Sequence, residues 1–168
     1  CDHVLYMQPN GDLAIANCIA QQLLARDAYS REFVEKYCNF RVDSDPPTLL
    51  GRPASFDEYR RRVAEYTPER ASELSGVPVE QLRLLGDLFC DPQRRIVSLW
   101  CMGMNQHTQG TAINNLVHAV HLLSGHWGKP GDGPQSLTGQ PSACGTVRET
   151  GTLCHALPGD LKVEDPEH

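Results

Sequence analysis

The run Ile96-Val97-Ser98-Leu99-Trp100 is a near-continuous apolar stretch that stops at Met102-Gly103 and passes through a polar loop, Met104 to Gly110, into a helical pattern. In that pattern Ile113, Leu116, Val117, Val120 and Leu123 recur at the spacing that lines one helical face, and Gly125 supplies a C-terminal stop. The spacing predicts a strand buried on both faces followed by a helix over about 111–124. Residues 4–25 repeat the arrangement. Val4 to Met7 reads as a short strand, Pro9-Asn10-Gly11 as a turn, and Leu13, Ile15, Ala16, Ile19, Ala20, Leu23 and Leu24 as a broad apolar helical face capped by Asp12 or Asn10. Two strand–loop–helix units with polar loops at the carboxyl ends of their strands predict an α/β fold, a partial Rossmann-like layer with a parallel sheet, where ligands bind at those loops.

Between the units Ser30 caps a second helix carrying Phe33, Val34 and Tyr37, and residues 39–54, rich in Pro, Asp and Gly, read as a loop or linker. Ser55-x-x-Glu58 is a capping box, Thr67-Pro68 a second helix start and Pro78 a third, so 55–92 reads as an inserted small helical subdomain. Residues 126–168 contain no long periodic element and read as an irregular segment. The 168 residues suit one domain that buries roughly 70% of its unfolded surface. A net charge of −6 argues against nucleic acid or an anionic membrane as the main partner, and no apolar run nears the roughly 20 residues of a membrane span. Seven scattered cysteines with no Cys-x-x-Cys pair make neither a disulfide framework nor a zinc knuckle or complete iron–sulfur ligand set. Cys18 and Cys90 fall inside helical patterns as small hydrophobes.

Three places carry candidate chemistry. In Gln8-Pro9-Asn10-Gly11-Asp12, Asp12 suits the hydrogen-bond donors of a guanine or ribose, against the plainer reading of a helix cap; no Gly-x-Gly-x-x-Gly supports a standard dinucleotide site. In Met102 to Gly110, Asn105 and Gln106 offer amides at a helix N-terminus, which attracts phosphate. In Ser136 to Gly151, three glycines allow close backbone approach around Gln140, Ser142, Thr146 and Arg148, and the Arg148 fork suits a small planar oxyanion held beside Glu149. His118 and His121 share a helical face at i, i+3, but without a carboxylate in the helix they read as a solvent- or domain-facing stripe rather than a metal site. Arg60-Arg61-Arg62, with Asp57, Glu58 and Glu65 nearby, reads as a self-compensated solvated face.

The words "MGMNQHTQGTAINNLVHAVHLLSG" and "SLTGQPSACGTVRETGTLCHALPGDL" resemble the catalytic subunits of periplasmic nitrate reductases, within the dimethyl sulfoxide reductase family of molybdenum enzymes. The resemblance covers 94–168 most strongly and extends through "QPNGDLAIANCIAQQLLARDAYSREFVEKY" and "SFDEYRRRVAEYTPE". It implies a bis(molybdopterin guanine dinucleotide) molybdenum cofactor, a nearby [4Fe-4S] cluster, reduction of nitrate to nitrite by oxygen-atom transfer, a cytochrome c electron-donor subunit and a periplasmic location. It places Asn10, Gly11 and Asp12 at a guanine dinucleotide end, Met102 and Gln106 against the cofactor, and Met102, Gln140 and Arg148 over the substrate pocket. Gln109, where relatives often carry Arg, and Asn10-Gly11 depart from the family pattern.

The family's cluster cysteines, its cysteine ligand to molybdenum and its second pterin-binding domain have no counterpart among these residues. The expectation is therefore an internal piece of a larger subunit, inactive and without stable molybdenum by itself. An assimilatory nitrate reductase or a formate dehydrogenase of the same superfamily, and a stand-alone binding or assembly module, are the alternatives.

Overall fold

The computed structural model describes residues 1–40, 54–137, 156–157, 161–162 and 165–167. The chain divides into two units, Cys1–Gln135 and Ser136–His168. The first carries α1 (Asp12–Ala25), α2 (Arg31–Tyr37), α3 (Phe56–Val63), α4 (Pro68–Ser75), α5 (Val79–Cys90), β1 (Val97–Trp100), α6 (Met102–Asn105) and α7 (Gly110–Ser124). β2 (Gly133–Ser136) begins in it and pairs with β1 as a parallel two-stranded sheet, with α7 in the crossover. The fold is α/β and helix-dominated. The described part of the second unit is an antiparallel pairing of β3 (Ala156–Leu157) with β4 (Leu161–Lys162), in register Ala156 to Lys162 and Leu157 to Leu161.

α1 is the helix on which the others pack. Ala14, Ala16, Cys18, Ile19, Ala20, Leu23 and Leu24 are all buried, so apolar side chains cover most of its circumference. One cluster joins Ile19, Leu23 and Leu24 to Val34, Val63, Phe89, Val120 and Leu123, from α2, α3, α5 and α7. A second joins Ala14 and Cys18 to Ala71, Val77 and Leu82. Burying a leucine such as Leu23 stabilises by about 1.5–3 kcal/mol. The exposed Arg26–Asp87 pair at the α1–α5 crossing adds about 0–1 kcal/mol, so packing and not charge sets that crossing. At its centre lies Gln22, buried, with Nε2 donating to the Leu82 carbonyl at 2.9 Å and Oε1 accepting from Arg26 at 2.7 Å.

A hydroxyl caps α3 and α4, whereas Ser30, expected to cap α2, stands at its N-cap position without a side-chain bond. Ser55 Oγ accepts from the Glu58 N–H and Thr67 Oγ1 from the Arg70 N–H, both at 3.2 Å, as the capping patterns predict. Gly76 and Gly125 end α4 and α7 in the left-handed conformation, φ 74 and 72. The expected linker lies largely outside the described residues.

Several expectations need correction. Val4–Met7 forms no strand: among the described residues the following Gln8 N–H reaches the Ser75 carbonyl at 2.7 Å, and Leu5 packs against the second cluster. β1 is not buried on both faces, since Val97 and Leu99 are 44% and 58% exposed; the apolar run reflects a strand with one side open here. α1 is capped by neither Asp12 nor Asn10; Gly11 is its N-cap residue and no side chain caps it. The polar loop after β1 contains a one-turn helix, α6, and the irregular C-terminal segment contains β2, β3 and β4, strands too short to show a period. His121 is not part of a solvent-facing stripe but fully buried. Its Nδ1–H donates to the His126 carbonyl at 3.0 Å, leaving Nε2 to accept from the Ser98 hydroxyl at 2.8 Å, and its ring meets Phe89 edge-on. With both nitrogens satisfied by neutral partners, the buried ring is neutral.

Two outcomes follow from these contacts. A Cβ at Gly86 would lie 2.2 Å from the Gln22 amide. Helix propensity alone favours alanine by about 0.5–1 kcal/mol. The displaced, unsatisfied Gln22 outweighs this, so Gly86→Ala lowers the free energy of unfolding in urea by about 1–3 kcal/mol; equal or greater stability would refute the packing assigned to Gln22. Burial, opposed by the His126 carbonyl, holds the His121 imidazole below its ordinary value of 6.5. The unfolded chain therefore takes up the proton first, and His121 costs nothing above that value but withdraws stability as pH falls below it. Urea melts between pH 7.5 and 5 are expected to show a shallower acid loss for His121→Gln than for the parent sequence, and identical slopes would overturn the assignment.

Candidate functional site

The polar segments before α1 and α7 come together. Gly11 N–H donates to the Gln8 carbonyl at 3.0 Å, and Asn10 at φ 67 follows Pro9, the residue order of a type II turn. A Cβ at Gly11 would meet the Gln8 carbonyl oxygen and the Ser75 Cβ at 3.1 Å, so the turn lies tight against the end of α4. On the other side α6 folds back on the start of α7: a Cβ at Gly110 would stand 2.2 Å from the Asn105 carbonyl oxygen, a backbone atom that cannot swing aside.

His107 ties the two segments. Nε2–H donates to the Gly103 carbonyl, and Nδ1 lies 2.8 Å from the Asn10 side-chain amide. The Asn10 atom against Nδ1 is Oδ1; with the ring proton on Nε2, Nδ1 accepts from Asn10 once that amide is flipped to present its N–H. Nothing in the spacing of the sequence singles out His107, because its partner is 97 residues away.

Beside this bridge lies a cleft of about 440 Å³ lined by Asn10 and Leu13 from one segment and Gln106, His107, Thr108, Gln109 and Ile113 from the other. Among the described residues no carboxylate lines it. The N-termini of α1, 14 residues, and α7, 15 residues, both open on it, and neither has a side-chain cap. Uncapped N–H groups and the positive end of each helix dipole make such a place receptive to phosphate oxygens, and the amides suit the edge of a base. The donor set therefore fits the phosphate- and base-bearing end of a dinucleotide.

The candidate residues divide by place. Asn10 and Gln106 line the cleft, and Gly11 is buried behind it. Asp12 faces a separate apolar cavity of about 270 Å³ with Met7, Ser98, Met104 and His121 on its wall. Met102 is exposed on α6 and lines neither space. Gln140 and Arg148 lie outside the described residues. His118 stands edge-on between Trp100 and Trp127, with ring centroids 5.6 Å apart on each side, while Asn114 accepts from the Trp100 indole N–H. Among the described residues no group of three or more His, Cys, Asp or Glu side chains is placed to hold a metal ion. No helix among them is long and apolar enough to cross a membrane.

No protein-family model matches the sequence. The fold is similar to that of acetylene hydratase from Pelobacter acetylenicus, with a TM-score of 0.57 and 20% identity over 74% of this chain. At that identity the likeness is one of fold, and the chain spans 15% of the length of that structure.

Proposed function

We propose that this chain is part of a molybdenum-dependent nitrate reductase and that its cleft receives the guanine dinucleotide end of a molybdopterin cofactor. The observation that carries the cofactor half is the convergence of two helix N-termini without side-chain caps on one cleft that no carboxylate lines among the described residues. The fold shared with acetylene hydratase supports the coarser part of the reading, a piece of a molybdoenzyme of the dimethyl sulfoxide reductase family. Nitrate as the substrate rests on the sequence words around Gln140 and Arg148.

In this reading the α1 and α7 N-termini hold phosphate oxygens and Asn10 and Gln106 hydrogen-bond the base or ribose. His107 fixes Asn10 in place from the opposite segment. Asp12, which faces the neighbouring apolar cavity, is not among the groups that hold the ligand in the cleft, and Met102 covers the cofactor from α6. Arg148 draws nitrate in and orients it through two parallel hydrogen bonds, offsetting the cost of bringing an anion into a partly dry pocket, with Gln140 beside it. The bound cofactor would supply the two-electron chemistry that converts nitrate to nitrite. A [4Fe-4S] cluster held elsewhere in the subunit, a cytochrome c donor and a periplasmic location belong to the same proposal.

Two substitutions in the complete enzyme separate the two halves. Gly110→Ala forces α6 away from α7 and opens the cleft, so molybdenum content by elemental analysis falls at least about tenfold, as a displacement of one cofactor-holding loop would cause. Full molybdenum loading would remove the cleft from cofactor binding. Arg148→Ala keeps molybdenum and loses nitrate turnover by about 10²-fold or more, the scale for one transition-state donor. Unchanged turnover and nitrate affinity would refute the substrate role.

A further inference from the structure

The dinucleotide cleft leaves Asp12 without a role, and the cavity it faces has a composition of its own. That cavity, about 270 Å³, is walled by apolar side chains of three helices: Ile15 and Ile19 of α1, Phe89 of α5, and Val117 and Val120 of α7. Asp12, Ser98 and His121 are the polar side chains on the wall besides these, and no lysine or arginine lines it among the described residues. A gap left by imperfect core packing is bounded by hydrocarbon. A carboxylate on the wall gives this one a chemical preference, because opposite charges attract more strongly beside an apolar surface than in water.

The hydrogen-bonding capacity of the wall runs one way. His121 is satisfied at both ring nitrogens, by the His126 carbonyl at 3.0 Å and the Ser98 hydroxyl at 2.8 Å. The Ser98 hydrogen is spent on that bond, so its Oγ has only lone pairs to offer. The Asp12 carboxylate also accepts only. No side-chain donor is therefore left on the wall among the described residues. Asp12 lies in the first turn of α1, where the positive end of the helix favours its charge. That interaction stabilises the carboxylate without occupying the lone pairs it turns to the cavity.

We propose that this cavity binds a small primary amine with an apolar body, whose ammonium group donates to Asp12 while its hydrocarbon part packs between α1, α5 and α7. An apolar cavity of about 150 Å³ takes one benzene ring. The larger space here, about 270 Å³, holds a ring with a short ammonium-bearing chain. A carboxylate or phosphate ligand would meet Asp12 as a like charge and find no side-chain donor. The cavity shares no lining residue with the dinucleotide cleft, so the amine site stands independently of the cofactor assignment.

Calorimetric titration of the 168-residue chain at neutral pH with phenethylammonium, phenethyl alcohol and phenylacetate tests this. The three probes share a phenyl ring and differ in the polar end. The ammonium is expected to bind about tenfold or more tighter than the alcohol, as a charge-assisted hydrogen bond exceeds a neutral one, and phenylacetate to bind weakest. Asp12→Asn is expected to bring the ammonium to the affinity of the alcohol. Methyl resonances of Ile15, Ile19 and Val117 locate the occupant without any substitution, and they shift when the ammonium is added. Failure of the ammonium to bind, equal affinity for ammonium and alcohol, a preference that survives Asp12→Asn, or methyl signals that stay unchanged overturns the proposal. So does guanosine displacing the ammonium from those methyl groups, since the cavity then belongs to the dinucleotide site.

Discussion

Burial of α1 on most of its circumference is the constraint from which the rest of the structure follows. A helix with Leu23 and Cys18 fully buried on different clusters cannot lie at the surface of a layer. It needs α7 and α3 around one cluster and α4 around the other, with α5 contributing to both. Ala14, Ala16 and Ala20 let those neighbours approach closely. Because Ile19 to Leu24 meets Val120 and Leu123 at one end, while Asn10 and Gln109 share a cleft at the other, α1 and α7 run in the same direction. The site is thus a by-product of core packing: two helices pressed side by side in parallel must present their N-termini together.

Side-chain caps are present at α3 and α4 and absent at the other helix starts, α1 and α7 among them. Serine and threonine cap α3 and α4, whose starts face no shared cleft, and the cost of losing such a cap is about 0.5–2 kcal/mol. At α7 the first N–H, that of Gly110, donates to the His107 carbonyl at 3.0 Å, and no side chain caps α1 or α7. A pair of helix starts without a side-chain cap forgoes that stabilisation and is a ready electrostatic asset for a phosphate-bearing ligand.

The helices were legible in the sequence because their signals are local. Capping hydroxyls at Ser55 and Thr67, the stop at Gly125 and the stripe Ile113 to Leu123 each act within a turn or two of the chain. What was not legible depends on distant partners. The extended segment at Val4 has strand composition but no ladder, because pairing is a property of two segments. His121 looked like a polar stripe because its two satisfying groups, Ser98 and the His126 carbonyl, come from other elements. The site was half visible: loop composition marked Gln106 and the family resemblance marked Asn10, but neither gave a sign that His107 would bridge the segments, or that Asp12 would turn away from the cleft.

Asp132 sits outside the sheet, yet its Oδ1 accepts from the Ile96 N–H at 2.7 Å and from His126 at 3.1 Å, while Gly133 N–H donates to the Ile96 carbonyl at 2.9 Å. Ile96 is therefore gripped at both its N–H and its carbonyl by two successive residues of the returning chain. In a strand a slip of one position exchanges the two faces. This clamp acts as an index mark: it dictates that Ser98 and Trp100 turn toward α7 while Val97 and Leu99 turn away. The polarity of the whole strand is decided before its first residue, by one carboxylate that never enters the sheet.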